Sequence, residues 1–276
     1  MDDRGAIASM PLYTNLDRIS RGLAALRIGP QDAIRCEQLF PLDQWHYQGT
    51  DAVHAAATAL GLGPSSRVLD IGAGVGGPAR YLAHTFGCHV TALELQSKLH
   101  AIGVDLTRRC GLAALVTHLC GDALTYPLPD GAFDAIVSWL AVLHIPDRDR
   151  LCARMARTLR SGGACYIEDL CMRAPFADDD LRDLREIVVG ISVTSIDDYV
   201  ADLRAAGFAG VTATDMTPEW APYAAARLAA WRDNHTLYAS MYGESAYTAL
   251  EMFYALIARL YDSGSLGGVR LVARVP

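Results

Sequence analysis

Apolar positions along the chain change period several times, and each change marks an element. In "LDRISRGLAAL", Leu16, Ile19, Leu23 and Leu26 recur at helical spacing on one face. "GTDAVHAAATALGLGP" reads as a second helix, closed by Gly61, Gly63 and Pro64. From residue 67 the pattern alternates. "RVLDIG" is a short strand, "GPARYLAHTFG" a helix ending at Gly87, "HVTALEL" a strand, and a helix runs from about Ser97 to Cys110. "LVTHLCGD" and "FDAIVSWLA" are strands, "RDRLCARMARTLRSGG" an amphipathic helix stopped by two glycines, and "ACYIEDL" a strand. "SIDDYVADLRAAGFAGVTATDM" reads as helix, turn and strand, and "GGVRLVARV" as the last strand. Such alternation predicts an α/β fold: a mainly parallel sheet with helices on both faces.

Two segments stand outside the alternation. Residues 1–60 form a mostly helical N-terminal cover, ahead of a main domain over 61–276. Residues 217–266 form a helical block before the last strand, carrying Trp220, Tyr223, Trp231, Tyr238, Tyr242, Tyr247, Phe253, Tyr254 and Tyr261. It reads as a lid.

Composition narrows the class. The chain has 276 residues, 51% of them hydrophobic, enough for one large domain. Its formal charge is −7 and it lacks a basic run, which argues against nucleic acid as a partner. No run reaches about 18 apolar residues, so no membrane span is expected. The start, "MDDRGAIASMPLY", has neither the basic nor the apolar region of a secretory signal. The seven cysteines include no Cys-x-x-Cys, so reduced thiols in a cytoplasmic protein are expected, and no metal site.

The chemistry concentrates in "VLDIGAGVGGPARYLA", where Gly72, Gly74 and Gly77 satisfy G-x-G-x-x-G between a strand and a helix. Glycines let the backbone turn tightly beside a ligand, and the helix start offers free N–H donors. Pro78 fits the first turn. Two ligands compete for such a loop. A dinucleotide sets a pyrophosphate there, whereas S-adenosylmethionine sets an amino-acid group. Asp70 repels the first and accepts from the ammonium of the second. Glu94, at the end of the next strand, suits ribose hydroxyls in either case, and Asp122 with Ala123 in "CGDAL" suits adenine.

These stretches, with "LPDGAFDAIVSWLAVLHIPD" and "LRSGGACYIEDL", fall in order over residues 67–170 and resemble the class I S-adenosylmethionine-dependent methyltransferases. More narrowly, the chain is similar to small-molecule enzymes of the phosphoethanolamine and sarcosine/dimethylglycine type. The resemblance implies a Rossmann-like, seven-stranded, mostly parallel sheet with an N-terminal helical segment and a helical lid before the last strand. It implies S-adenosyl-L-methionine held by Asp70, Gly72, Ala73, Gly74, Glu94, Leu95, Gln96, Asp122, Ala123 and Ser138. It also implies His144 as the residue that orients or deprotonates the acceptor, with Tyr47 or Tyr13 as its partner. "DQWHYQGTDAV" would then lie across the cofactor, so that Trp45, His46, Trp139, Trp220 and Tyr223 meet the acceptor. Electron-rich faces favour sulfonium and ammonium groups.

Trp139 and Leu140 stand where relatives that bind a phosphobase carry an Arg-Asp pair, and "REIVVGISVTSIDDY" has few cations. An amine, amino-acid-like or thioether acceptor is therefore expected; Arg173, Arg182 and Arg185 read as solvated helix-face charges, with meeting a carboxylate as their alternative. The activity expected is methyl transfer to N, S or O of a small metabolite by in-line displacement. A C-methyltransferase or cyclopropane-type enzyme is the alternative, with a dehydrogenase and a non-catalytic cofactor-binding module as further ones. A homodimer is compatible with the sequence.

Overall fold

The computed structural model describes residues 16–276. Seven strands form one sheet in the order β3-β2-β1-β4-β5-β7-β6. They are β1 (Arg67–Ile71), β2 (His89–Glu94), β3 (Val116–Cys120), β4 (Phe133–Trp139), β5 (Leu159–Met172), β6 (Ala209–Asp215) and β7 (Leu266–Arg274). The first five run parallel, and β7 pairs antiparallel with both β5 and β6. In β1, Val68, Leu69, Asp70 and Ile71 are all buried, because helices cover both faces. The order reverses between β1 and β4, and a crevice opens at the carboxyl ends of these strands.

Among the described residues three helices precede the sheet: α1 (Asp17–Ala25), α2 (Cys36–Asp43) and α3 (Thr50–Leu60). Leu26 lies past the end of α1 and is half exposed, so the apolar stripe stops at Leu23. After β1 comes α4 (Gly77–Phe86), whose Arg80 anchors the N-terminal segment. The Arg80 guanidinium donates to the Asp43 carboxylate at 2.8 Å, and both side chains are buried. The approach is close enough that a Cβ on Gly77 would lie 2.2 Å from the Asp43 carbonyl oxygen.

Helix α5 (Ser97–Arg109) joins β2 to β3, and α6 (Arg148–Thr158) leads into β5. The sequence predicts that α6 reaches the glycine pair at 162–163. Instead it ends at Thr158: Leu159 turns extended, pairs with Phe133 and buries its side chain in the core. Core burial outweighs the modest helix preference of the "LRS" segment. Beyond β5, a short helix α7 (Asp178–Asp183) runs into a wide π turn, Leu184–Val188, and α8 (Ile196–Ala205) precedes β6.

Between β6 and β7 lie α9 (Thr217–Asp233), α10 (His235–Tyr242) and α11 (Glu244–Asp262). Much of their aromatic content serves their own packing. Trp231 stacks on Tyr238 at 4.4 Å and on Tyr247 at 5.4 Å. Among the described residues no helix is long and apolar enough to cross a membrane.

Candidate functional site

The glycine loop follows β1. Gly72, Gly74 and Gly76 all have positive φ, a conformation that suits glycine. Gly72 also sits against the next crossover, where an added Cβ would lie 2.3 Å from the Ala141 Cβ. Gly74 is open, with nothing within 4 Å of its Cβ position.

Two cavities meet at this loop. The first, about 1180 Å³ with its open mouth, is bordered by Glu94, Leu95, Gln96, Asp122, Ala123 and Leu124 among others. The second, about 1050 Å³ with its mouth, is bordered by the Trp45–His46–Tyr47 run, Asp70, Trp139 and the inserted helices. Gly72, Gly74 and His144 border both, so they mark the junction.

The first cavity carries carboxylates already aimed by backbone. Glu94 Oε2 accepts from the Gly74 N–H and Oε1 from the Gln96 N–H, each at 2.8 Å. Burial nevertheless pushes its carboxyl up to about 7. Asp122 Oδ1 accepts from the Leu124 N–H at 2.8 Å. Asp70 is buried, and its Oδ2 has no hydrogen-bond partner among the described residues. Burial, then the Glu94 carboxylate nearby, pushes Asp70 up to about 8. A buried, orphaned carboxylate oxygen beside an open glycine loop fits an ammonium, and the paired Glu94 oxygens fit two hydroxyls. The donor set therefore suits the amino-acid and ribose parts of S-adenosylmethionine. Ser138 lies behind this surface: its hydroxyl donates to the Ile71 carbonyl at 2.9 Å and braces β1 on β4. It does not border either cavity.

His144 is buried at the end of a short 3₁₀ turn, Val142–His144. Its Nδ1 lies 3.0 Å from the Val189 carbonyl oxygen. A carbonyl only accepts, so Nδ1 carries the proton and, in the neutral ring, Nε2 carries the lone pair. Burial lowers the pKa of the imidazole and so favours that neutral form. Val189 holds its carbonyl there from a left-handed conformation, φ 55°, after the π turn.

The second cavity is aromatic. His46 stacks on Trp139 at 5.5 Å, and its two ring nitrogens lie 3.0 Å from the Tyr47 carbonyl and from Gln44. Burial lowers its pKa to about 4, so it is a neutral wall. Tyr47 is buried and its phenol is pushed up to about 12, which keeps it protonated at neutral pH. The Trp45 indole donates to the Leu42 carbonyl at 2.9 Å, and Arg18 lies 3.3 Å over its ring.

Trp220 and Tyr223, expected from the sequence to meet the acceptor, do not border the cavity. Trp220 is fully buried behind Tyr47, 4.5 Å away, against the backbone of Gly268. Tyr223 meets the edge of Tyr47 at 5.4 Å from the outer side. The inserted helices reach the cavity through Ala224, Arg227, Phe253, Tyr254 and Ile257 instead. Arg173 and Arg182 are paired charges at the surface. They bind Asp215 and Asp179, each at 2.7 Å, and Arg185 is exposed. Tyr13 lies outside the described residues.

Comparison with known proteins identifies the family. Residues 69–167 match the family model of a methyltransferase domain. The chain is 31% identical over 227 residues to a 27-O-demethylrifamycin SV methyltransferase of Amycolatopsis mediterranei, covering 80% of this chain and 81% of that one. It is 36% identical over 161 residues to a sarcosine/dimethylglycine N-methyltransferase of Halorhodospira halochloris, covering 56% of each. The chain spans about half the length of that relative, and less of some others. In fold it is similar to phosphoethanolamine N-methyltransferase 2 of Haemonchus contortus, solved with phosphomonomethylethanolamine and S-adenosylhomocysteine. The TM-score is 0.84 at 19% identity, over 100% of this chain and 61% of that one. The chain belongs to the class I S-adenosylmethionine-dependent methyltransferases.

Proposed function

We propose that the protein transfers a methyl group from S-adenosylmethionine to N, S or O of a small metabolite. The observation that carries this reading is the position of His144. It stands where the polar cavity and the aromatic cavity meet, with the basic nitrogen of its neutral ring fixed as Nε2. When bound, S-adenosylmethionine supplies an electrophilic methyl group on a sulfonium.

The chain's residues have separable tasks in this reading. Asp70 binds the ammonium, Glu94 the ribose hydroxyls, and Asp122 with Ala123 the adenine, while Gly72, Ala73 and Gly74 let the backbone approach. Leu95 and Gln96 wall the ribose. Trp45, His46, Tyr47 and Trp139 exclude water and hold the acceptor near attack distance. His144 Nε2 accepts the proton that an amine or hydroxyl acceptor must lose. Tyr47, protonated, serves as a wall and donor, not as a base. The N-terminal segment 1–60 acts as the cover of a methyltransferase domain over 61–276, and the helices within 217–266 act as its lid. Seven free thiols support a cytoplasmic location. Dimer formation is decided by sedimentation.

The apolar lining favours a second reading, methylation at carbon, in which aromatic faces steady a developing cation. Labelled S-adenosylmethionine offered with separate pools of amines, thioethers, phenols, carboxylates and alkenes distinguishes the two. Label in a heteroatom pool supports the first reading and label in alkenes the second. Tight cofactor binding with no transfer to any pool refutes both, in favour of a cofactor sensor.

A further inference from the structure

The acids and histidines that border the aromatic cavity can be accounted for one by one. Asp43 is taken by Arg80, and His46 by the Tyr47 carbonyl and Gln44. His144 is held by Val189, and Asp70 faces the glycine loop. Arg227 remains. It projects from α9 into the cavity, one turn after Tyr223 and three residues after Ala224, whose small side chain leaves room beside it.

Among the described residues no carboxylate lies within ion-pair distance of Arg227. Its neighbours are phenols instead: its guanidinium carbon is 5.1 Å from the Tyr254 ring centre and 6.0 Å from that of Tyr223. Several other arginines that the fold shields meet carboxylates. Arg80 binds Asp43 at 2.8 Å, Arg148 binds Asp202 at 2.5 Å, and Arg270 binds Glu168 at 2.8 Å. A guanidinium drawn into an apolar space without an anion is costly unless a ligand completes it.

Resting on the methyl-transfer reading above, we propose that Arg227 recognises a carboxylate on the acceptor. The substrate class is then an apolar or aryl body bearing one carboxylate, with its methyl-accepting atom at the His144 end of the cavity. The chemistry favours a monoanion. Arg227 is the one Lys or Arg among the described residues that borders this cavity, and a phosphate dianion calls for more than one cation. Its planar fork matches a carboxylate, and the two tyrosine rings hold it in place before the ligand arrives.

The test is binding to the full chain saturated with S-adenosylhomocysteine, followed by ligand-observed NMR and calorimetry. The probes are phenylacetate, hydrocinnamate, hexanoate and octanoate, each against its primary amide. The expected result is that at least one acid binds roughly 10- to 100-fold tighter than its amide, as a lost charge-assisted contact implies. Arg227→Gln then removes the preference and Arg227→Lys keeps part of it, with S-adenosylhomocysteine affinity unchanged in both. Equal binding of acids and amides to the wild type overturns the proposal, as does a preference that survives Arg227→Gln, or no acid binding at all. Failure to bind S-adenosylhomocysteine is a different result and counts against the methyl-transfer reading itself.

Discussion

Asp70→Asn replaces a buried carboxylate with an amide of nearly the same shape, so it isolates the charge. In the ligand-free protein Asp70 is held up at about 8, so at pH 7 it is mostly neutral. Its ionisation on meeting an ammonium then costs about 1.4 kcal/mol at pH 7, one pH unit below that value. Removing one partner of a buried ion pair costs about 3–5 kcal/mol. The difference leaves about 1.5–3.5 kcal/mol, so the variant should bind S-adenosylhomocysteine roughly 10- to 400-fold more weakly at pH 7. The proton released gives a second signature. The Asp70 ionisation alone should raise wild-type affinity roughly tenfold from pH 6.5 to 8, as it becomes cheaper. The variant should keep only the shallower dependence of Glu94, whose carboxyl titrates at about 7. The stability sign is opposite. A carboxyl raised in the folded state contributes stability that is present below its unfolded pKa and lost as pH climbs through about 8. Asp70→Asn should therefore unfold no more easily than wild type above pH 8, which separates lost binding from lost folding. The assay is isothermal titration calorimetry at pH 6.5 and 8, with urea unfolding as control. Binding within threefold of wild type at both pH values would refute the assignment of Asp70 to the ammonium.

His144→Ala should leave S-adenosylhomocysteine binding nearly intact and lower turnover on a nitrogen or oxygen acceptor by roughly 10²–10⁴. Turnover equal to wild type on such an acceptor removes it as the base. Because burial lowers the His144 pKa, the acid limb of the kcat/KM profile should fall below the ordinary imidazole value near 6.5. Gly72→Ala drives a Cβ to 2.3 Å from Ala141 at a positive φ, and should cost about 1–3 kcal/mol in urea unfolding. Asp43→Ala leaves Arg80 buried and unpaired and should cost about 3–5 kcal/mol, read as a lower urea midpoint. A change below about 1 kcal/mol would mean that water or another group reaches Arg80.

The parallel sheet was legible because strand and helix periods differ and the glycine punctuation is strong. The polar side of the candidate site was legible for a similar reason. Asp70 lies near the end of β1, Glu94 ends β2 and Asp122 comes just after β3, and strand ends in such a sheet converge on one crevice. The acceptor side was harder to read. Trp220 and Tyr254 have similar composition and lie on helices of the same block, but one packs on Gly268 and the other borders the cavity. Helical spacing says that a face is apolar, and leaves open what it faces. Arg227 gave no signal, since an arginine in an alanine-rich helix reads as solvated. The Val189 carbonyl that fixes the His144 tautomer was equally hidden, because the π turn and left-handed residue that place it arise from tertiary packing. A pairing of Asp43 with Arg80, far apart in sequence, also has no local signature.

The measurement that bears most directly on the division of the site into two cavities is a crystal structure with S-adenosylhomocysteine bound. The expected result places the ammonium on Asp70, the ribose hydroxyls on Glu94 and the adenine beside Asp122 and Ala123. The sulfur then lies at the junction of Gly72, Gly74 and His144, facing Trp139 and Tyr47. A ligand lying wholly within the aromatic cavity, or with its sulfur turned away from His144, would contradict it.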